Sequence, residues 1–425
     1  MTAMEERTRE TLSICPVCKM RIPARYVQRV EGVYLEKNCV LHGAFSTPVW
    51  LGEEDFFTWC AKWEDTCPES CKAPAACGLC AAHLTPTCCA ILDVTNQCNL
   101  QCPYCFAASG AGEDMPHTEV LEAIADMYRH GVRYLHLSGG EPTVRTDLPE
   151  IVRFASQMGY AYIQLNTNGL RLAEDPAYAV ALEKAGLSCV FLQFDGTTDE
   201  IFRRIRGRAL LECKIETIRN CDAVRLGIVL VPTIVPGVND GDIGQIVRFA
   251  VQHAPAVKGV HFQPITYLGR YTSGNTAHMT LPELMHALET QSDGMVRYAQ
   301  FAPSGCDAPL CGFHAEYRLL DGALWQLARK KRDSDVCCCG APTVERSQRH
   351  VRIRWTRSRM QPTQPGSMSA FMEQSNEEAF SISAMAFQDA ENLDFARLRR
   401  CSIHVYHDGN MIPFCAFHNL YKEKT

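Results

Sequence analysis

The sequence predicts an α/β protein: a partial (β/α)6 barrel with an N-terminal cysteine-rich metal-binding cap and a C-terminal extension. Two observations carry this reading. Short apolar strands alternate with helical patterns from about residue 90 to about 270, which is how βαβ units feed a parallel sheet. The 23 cysteines are also unevenly spread, with ten up to residue 89, six in the middle and seven after residue 270. We therefore divide the chain into a small metal-binding β-ribbon (1–60), a cysteine-rich segment (61–89), the barrel (90–270) and a C-terminal extension with further cysteines and a lid (271–425).

The barrel elements follow in order. "AILDVT" (90–95) reads as a strand, and "TEVLEAIADMYRHG" (118–131) as a helix, acidic at its start and stopped by Gly131. "YLHLSGG" (134–140), "YIQLNTNG" (162–169) and "CVFLQFDG" (189–196) are strands, alternating with helices at 148–159, 177–186 and about 208–221. "LGIVLVPTIV" (226–235) is the fifth strand. The helix 242–254 sets Ile243, Ile246, Val247, Ala250 and Val251 on one face, before a sixth strand, "GVHFQPI" (259–265). Six units are too few for the eight-fold barrel, so the arrangement is open, with its active site at the C-terminal strand ends. The unusual residues fall on that rim. A cysteine trio follows strand one, "SGGEP" ends strand two, "NTNG" strand three and "QFDG" strand four. The segment 355–390, rich in Ser, Gln, Met and Pro in its first half, reads as a loop leading into a helix or lid.

Charged residues make up 21% and apolar ones 46%, a globular balance. A net charge of −6 argues against nucleic-acid binding driven by phosphate attraction. No apolar run reaches the roughly 18 residues of a transmembrane helix. The polar start, MTAMEERTRE, lacks the apolar core of a signal peptide. The expectation is a cytoplasmic protein. In a reducing compartment, clustered cysteines bind metal or do redox chemistry rather than pair, and oxygen-sensitive sites imply an anaerobic setting.

"TNQCNLQCPYCFA" (95–107) holds Cys98, Cys102 and Cys105 at CxxxCxxC spacing. A closed iron–sulfur or zinc site normally takes four protein ligands. Three thiolates leave one iron of a [4Fe–4S] cube open to a small molecule bearing an amine and a carboxylate, such as the methionine end of S-adenosylmethionine (SAM). With CxxxCxxC after strand one, Tyr104 just before the last cysteine, and GGEP after strand two, the chain resembles the radical SAM superfamily. The resemblance implies reductive cleavage of SAM and hydrogen abstraction from an unidentified substrate. It places the cofactor's amino group at Ser138, Gly139, Gly140, Glu141 and Pro142, and its adenine near the backbone of Tyr104. Asn166, Asn168, Gln193 and Asp195 are candidates for the ribose or carboxylate, and Arg203 or Arg206 for a bidentate carboxylate pair. A reductant such as flavodoxin or ferredoxin is the implied partner. The alternatives are an iron–sulfur electron-transfer protein without SAM chemistry and a zinc-stabilised binding module.

Near the N-terminus, Cys15 and Cys18 form a CxxC turn, followed by Cys39 and His42 across a hairpin marked by Glu31-Gly32. Four-coordinate zinc or a rubredoxin-like iron fits this set, with Cys60 as a competing fourth ligand. Cys71, Cys77, Cys80 and Cys88 are candidate ligands of an auxiliary [4Fe–4S] cluster, with Cys67, Cys89 and His83 as rivals. Cys306, Cys311, Cys401 and Cys415 are candidates for a further one. Cys337, Cys338 and Cys339 cannot all reach one metal, because adjacent side chains diverge; one is a candidate redox or substrate-binding thiol.

The ribbon, "CGLC", "VTNQCNLQCPYCFA", "SGGEPTVRTDLPEIV", "LQFDG", "VPTIVPGVND" and "FQPITYLGR" make residues 12–300 similar to the archaeal tetraether lipid synthase group, also described as pterin-methylating enzymes. That resemblance implies C–C bond formation or methylation at unreactive C–H positions of a lipid or small-molecule substrate. After residue 300, "CDAPLCGFH" and "CCCG" look more like a bacterial branch that carries selenocysteine and is encoded beside a companion methyltransferase.

Overall fold

The computed structural model describes residues 7–52, 54–61, 83–271, 277–327, 342–357 and 367–422. Strands β1 (Thr8–Ile14), β2 (Arg21–Gln28), β3 (Gly32–Cys39) and β4 (Gly43–Leu51) form an antiparallel ribbon in sequence order. Gly32 opens β3 at φ 152°, and a Cβ there would lie 2.1 Å from the Trp50 carbonyl oxygen. Only glycine tolerates that approach. Tyr26, Trp50 and Phe56 pack the ribbon's buried face, with ring centroids 5.3–6.0 Å apart.

The barrel strands are β5 (Cys89–Thr95), β6 (Tyr134–Gly139), β7 (Tyr162–Thr167), β8 (Cys189–Gln193), β9 (Gly227–Val231), the two-residue β10 (Thr233–Ile234) and β11 (Val257–Pro264). They run parallel in the order β5-β6-β7-β8-β9-β11, with β10 beside the end of β11. The helix expected over about 208–221 is Leu211–Ala223, and a further helix, Asp199–Arg206, precedes it. Gly207, at φ 83°, ends the latter with a left-handed cap.

Alternation along these strands separates two environments. Leu92, Val94, Leu135, Leu137, Leu165 and Val190 are fully buried beneath the flanking helices. The opposite residues face the barrel interior. Near the strand starts, Tyr134, Tyr162, Cys189 and Phe191 meet Val351 and Trp355 of the helix Pro342–Trp355, which closes that end. Towards the C-terminal ends the same face carries Asp93, His136, Gln164, Asn166, Gln193 and His261. All of these except Gln164 keep some accessible surface.

The C-terminal segment completes the sheet. It supplies β12 (Ala302–Pro303), β13 (Gly312–Leu320), β14 (Ala323–Gln326), β15 (Ala379–Met385), β16 (Ile403–His407) and β17 (Asn410–Pro413). Strand β15 pairs parallel with β11, and β16 pairs parallel with β5. To the loop leading into a helix or lid expected over 355–390, the described residues add a strand. A helix, Met368–Glu377, is followed by β15, where Phe380 and Ile382 are buried in the main core and Ser383 bonds His261 across the adjacent strand. The alternating "FSIS" is a strand pattern set inside a polar-looking stretch.

The ribbon docks on this segment through buried polar bonds. Tyr26 and Thr11 hydroxyls each donate to Asp394 at 2.5 Å. Lys37 donates to the Ala390 carbonyl at 2.7 Å, and burial lowers its amine to about 8 against the pull of Glu391 and Asp389. Among the described residues no helix is long and apolar enough to cross a membrane.

Candidate active site and metal centres

Strand β5 delivers the cysteine loop. Thr95 Oγ1 accepts from the Gln97 amide at 2.9 Å and donates to Asp114. The Cys98 amide donates to the Gly110 carbonyl at 3.1 Å, and Cys105 exchanges two backbone bonds with Arg270, at 2.8 and 2.9 Å. Cys102 is buried, while Cys98 and Cys105 are partly accessible. Burial pushes the Cys98 thiol up to about 11, with Glu141, Cys102 and Cys105 adding to the shift. Burial also raises Cys102, against the opposing charge of Arg206.

A spacing test separates kinds of metal. Among the described residues, only Cys15, Cys18, Cys39 and His42 bring their donor atoms within 4.8 Å of one another. One tetrahedral ion with bonds of about 2.3 Å draws thiolates together in this way. A cube distributes its thiolates over separate irons and needs them further apart.

The GGEP turn is fastened to the start of the cysteine loop. The Gly140 amide donates to the Thr95 carbonyl at 2.7 Å, and the Glu141 amide to the Gln97 carbonyl at 2.8 Å. A Cβ on Gly139 would sit 2.3 Å from the Thr95 oxygen, and one on Gly140 2.0 Å from the Gln97 oxygen. The two glycines are thus required by the neighbouring loop. Glu141 is 2% exposed. Its Oε1 accepts from the Thr143 amide and from the Thr143 and Thr167 hydroxyls, and its Oε2 accepts from the Asn168 amide at 2.7 Å. The carboxylate clasps the ends of β6 and β7. Pro142 begins a short 3-10 turn behind it, and Ser138 is buried at the end of β6.

The other expected cofactor contacts divide into a network and an outlier. Asn168 donates to Asn99 of the cysteine loop at 2.7 Å, and its carbonyl accepts from the buried Lys214 at 2.5 Å. Asp195 is fully buried and bidentate to Arg206, at 2.6 Å for both bonds. Arg206 also donates to the Tyr104 carbonyl at 3.1 Å. Gln193, with its amide oxygen turned towards Arg206, accepts at 3.0 Å. Asp195 and Arg206 therefore hold the cysteine loop at Tyr104, whose ring packs beside Ile201, Ile205, Val235 and Ile265. Asn166 accepts from Gln164 at 3.0 Å and keeps some accessible surface. Arg203 stands apart, 57% exposed and facing Glu200 at 4.0 Å.

Sequence reasoning missed Asp93, Asn99, His136, Gln164, Lys214 and His261. For those on strands the signal was present, because each is a polar letter at an alternate position between apolar neighbours.

In the ribbon, His42 Nδ1 lies 3.5 Å from both Cys15 and Cys39 sulfurs, and Cys18 lies 3.9 Å from Cys39. Cys60, the competing ligand, is instead buried in the main core beside Tyr26, and burial pushes its thiol up to about 12. Two thiolate-rich turns plus one imidazole suit zinc. Chelator treatment is expected to release about one zinc per chain and to lower the melting temperature, since binding energy here is folding energy. An unchanged melting curve after metal loss would count against a structural site.

Cys67, Cys71, Cys77, Cys80 and Cys337–Cys339 lie outside the described residues. Cys88 precedes β5 and neighbours Cys306, whose sulfur also accepts from Ser402 at 3.5 Å. Cys311 accepts from Arg397 at 3.6 Å, and Cys415 from the Gln388 amide at 3.2 Å. The half-buried Cys401 feels the charges of Cys415 and Cys311. His83 bonds the Cys401 carbonyl at 2.8 Å and meets His404 at 3.3 Å. A crevice lined by Pro48, Val49, His278 and Arg397 separates the ribbon from the C-terminal segment and includes none of the trio.

Residues 92–250 match the family model of the radical SAM superfamily, and residues 8–51 match the HMPTM N-terminal zinc ribbon domain. The 7,8-dihydro-6-hydroxymethylpterin dimethyltransferase of Methanocaldococcus jannaschii is 32% identical over 98% of this chain and 94% of its own length. A GTP 3′,8-cyclase of Alkaliphilus oremlandii is 29% identical over 50% of this chain and 69% of its own. The solved structure of Streptococcus suis SuiB bound to S-adenosylmethionine aligns with 49% of this chain and 48% of its own, at 15% identity and a TM-score of 0.41.

Proposed function

The chain belongs to the radical SAM superfamily, and on that premise we propose that it methylates a carbon of a pterin-class heterocycle, with Cys98, Cys102 and Cys105 holding the [4Fe–4S] cluster. When bound, cluster and SAM together supply a 5′-deoxyadenosyl radical for hydrogen abstraction. The chain's own residues orient and enclose. Asp195 and Arg206 fix the loop at Tyr104. The glycine turn 139–140 and Glu141 hold β6 and β7 against that loop, so the cofactor-facing rim moves as one unit. The observation that carries the reading is this clamp of the GGEP turn onto the three-cysteine loop through the Thr95 and Gln97 carbonyls.

Two observations favour a pterin over a lipid. The full-length relative is named for one. The barrel's inner face, with Asp93, His136, Gln164, Asn166 and His261, is polar where a lipid tunnel would be apolar. Radical SAM enzymes take their electron from an external reductant; a flavodoxin or ferredoxin suits this chain. We further assign Cys88, Cys306, Cys311, Cys401 and Cys415 to auxiliary iron–sulfur ligation together with cysteines of 61–82. Their support is that Cys88 neighbours Cys306, while the buried Cys311 and Cys415 lie beside the Arg397 guanidinium and near Cys401.

The test is anaerobic incubation of the reconstituted full chain with SAM, dithionite and 6-hydroxymethyl-7,8-dihydropterin. The expected products are 5′-deoxyadenosine and methionine from the SAM that is cleaved, with dithionite supplying the electrons, and S-adenosylhomocysteine from a second SAM that gives its methyl group to a ring heavier by one or more methyls. Intact clusters without 5′-deoxyadenosine would sink the catalytic assignment. 5′-Deoxyadenosine with an unchanged pterin would sink only the substrate.

A further inference from the structure

The barrel interior holds a carboxylate that none of the machinery above uses. Asp93 lies on β5, five residues ahead of Cys98. Leu92 and Val94 on either side are fully buried in the main core, so alternation turns Asp93 inward. Among the described residues it makes no hydrogen bond or ion pair. Burial raises its carboxyl above the ordinary range, against the more distant charges of Lys422 and His407. Asp93 is half-buried and keeps accessible surface inside the barrel, so a ligand that brings N–H donors can meet its carboxylate there.

Strand register says what else shares its level. Asp93 pairs with Ser138, Leu137 with Leu165 next to Asn166, and Asn166 with Phe191. Asp93, Ser138, Asn166 and Phe191 therefore form one layer across four adjacent strands. From β5 to β7 is two strand spacings, or about 9.6 Å, enough width for a flat bicyclic ring. Phe191 supplies an aromatic surface, backed by Trp355 at 5.0 Å and flanked by His136 at 6.1 Å and His261 at 5.7 Å.

The neighbouring strands β6 and β7 present donors. Gln164 Oε1 accepts from the Tyr162 hydroxyl, which fixes its amide. Its Nε2 then donates to His136 Nδ1 at 3.2 Å and to Asn166 Oδ1 at 3.0 Å. Burial keeps the His136 imidazole neutral, so its proton sits on Nε2. His136 Nε2–H on the adjacent strand and the Asn166 NH2 two strands away remain as donors beside the acceptor Asp93.

We infer that Asp93 determines substrate specificity. Its carboxylate takes the adjacent N3–H and 2-amino donors of a 2-amino-4-oxopyrimidine ring laid against Phe191, while His136 and Asn166 donate to that ring's acceptors. Two parallel N–H donors matched to one carboxylate make the strong bidentate form of hydrogen bond. The inference rests on the pterin reading above and names the residue that would enforce it.

The test measures binding by fluorescence to the reconstituted full chain in the presence of SAM. The probes are 6-hydroxymethylpterin, its 2-oxo analogue 6-hydroxymethyllumazine, and 3-methyl-6-hydroxymethylpterin. The unaltered protein should prefer the pterin over each analogue by roughly 10–100-fold. This measurement needs no variant to fold. Asp93→Asn should weaken pterin binding by a similar factor and erase the preference over lumazine, with SAM affinity and the cluster's electron paramagnetic resonance signal unchanged. Equal binding of all three probes by the unaltered protein overturns the role of Asp93 while leaving a pterin substrate standing. So does an Asp93→Asn protein with unaltered discrimination. No binding of any probe overturns the pterin reading and this inference together.

Discussion

Cys102→Ser protein, reconstituted under anaerobic conditions, is expected to form less than about one-thousandth of the 5′-deoxyadenosine made by the unaltered chain. Cys102 is the buried member of the trio and lies against the Arg206 charge. Serine is nearly isosteric, but its hydroxyl is a poor match for iron beside the soft thiolate. The lesion should therefore fall on the cluster rather than the fold. Iron content should drop by about four per chain while the far-ultraviolet circular dichroism spectrum stays the same. A Cys102→Ser protein that keeps both iron and product would remove the trio from the mechanism. Cys15→Ala makes the contrast, because loss of the ribbon metal lowers folding yield first.

Arg206→Met is expected to cost about 3–5 kcal/mol of stability, the usual consequence of leaving a buried charge without its partner. Asp195 is fully buried, and both its oxygens face Arg206 at 2.6 Å. The replacement also removes the donor at the Tyr104 carbonyl. SAM-dependent product should therefore fall further than the unfolded fraction explains. The companion Asp195→Leu/Arg206→Met should recover much of the stability, since no lone charge remains, but not the activity. Denaturant midpoints and single-turnover product on the same samples separate the two effects. If both singles and the double lose equal stability, the pair does not act as a unit.

Much of the barrel was legible in the sequence. Apolar runs such as "YLHLSG" and "CVFLQ" recur at βαβ spacing and bear the rim motifs at their ends. The ribbon ligands were legible too, because CxxC followed by a cysteine and histidine across a hairpin restricts the geometry. The C-terminal strands were not. Ala379–Met385 and Ile403–His407 are short and flanked by polar residues, and their partners lie far away in sequence, so no local period announces them. Within the site, spacing singles out the trio but does not show how its neighbours are held. Glu141, Asp195 and Arg206 have the letters of ligand contacts, yet the fold engages them with one another and with backbone. Chain letters reveal hydrogen-bonding capacity, not whether neighbours have already filled it. Asp93 is the converse case, a residue in no motif that burial leaves with unfilled capacity.

The pairing of β16 with β5 bears on how the protein is made. The cysteine loop is synthesised well before the strand that pairs with the outer edge of β5, and before Phe414 and His418, which pack on Phe106 of the loop at 5.8 and 5.2 Å. Until then the nascent chain presents an open sheet edge beside three bare thiols, the arrangement most prone to mispairing.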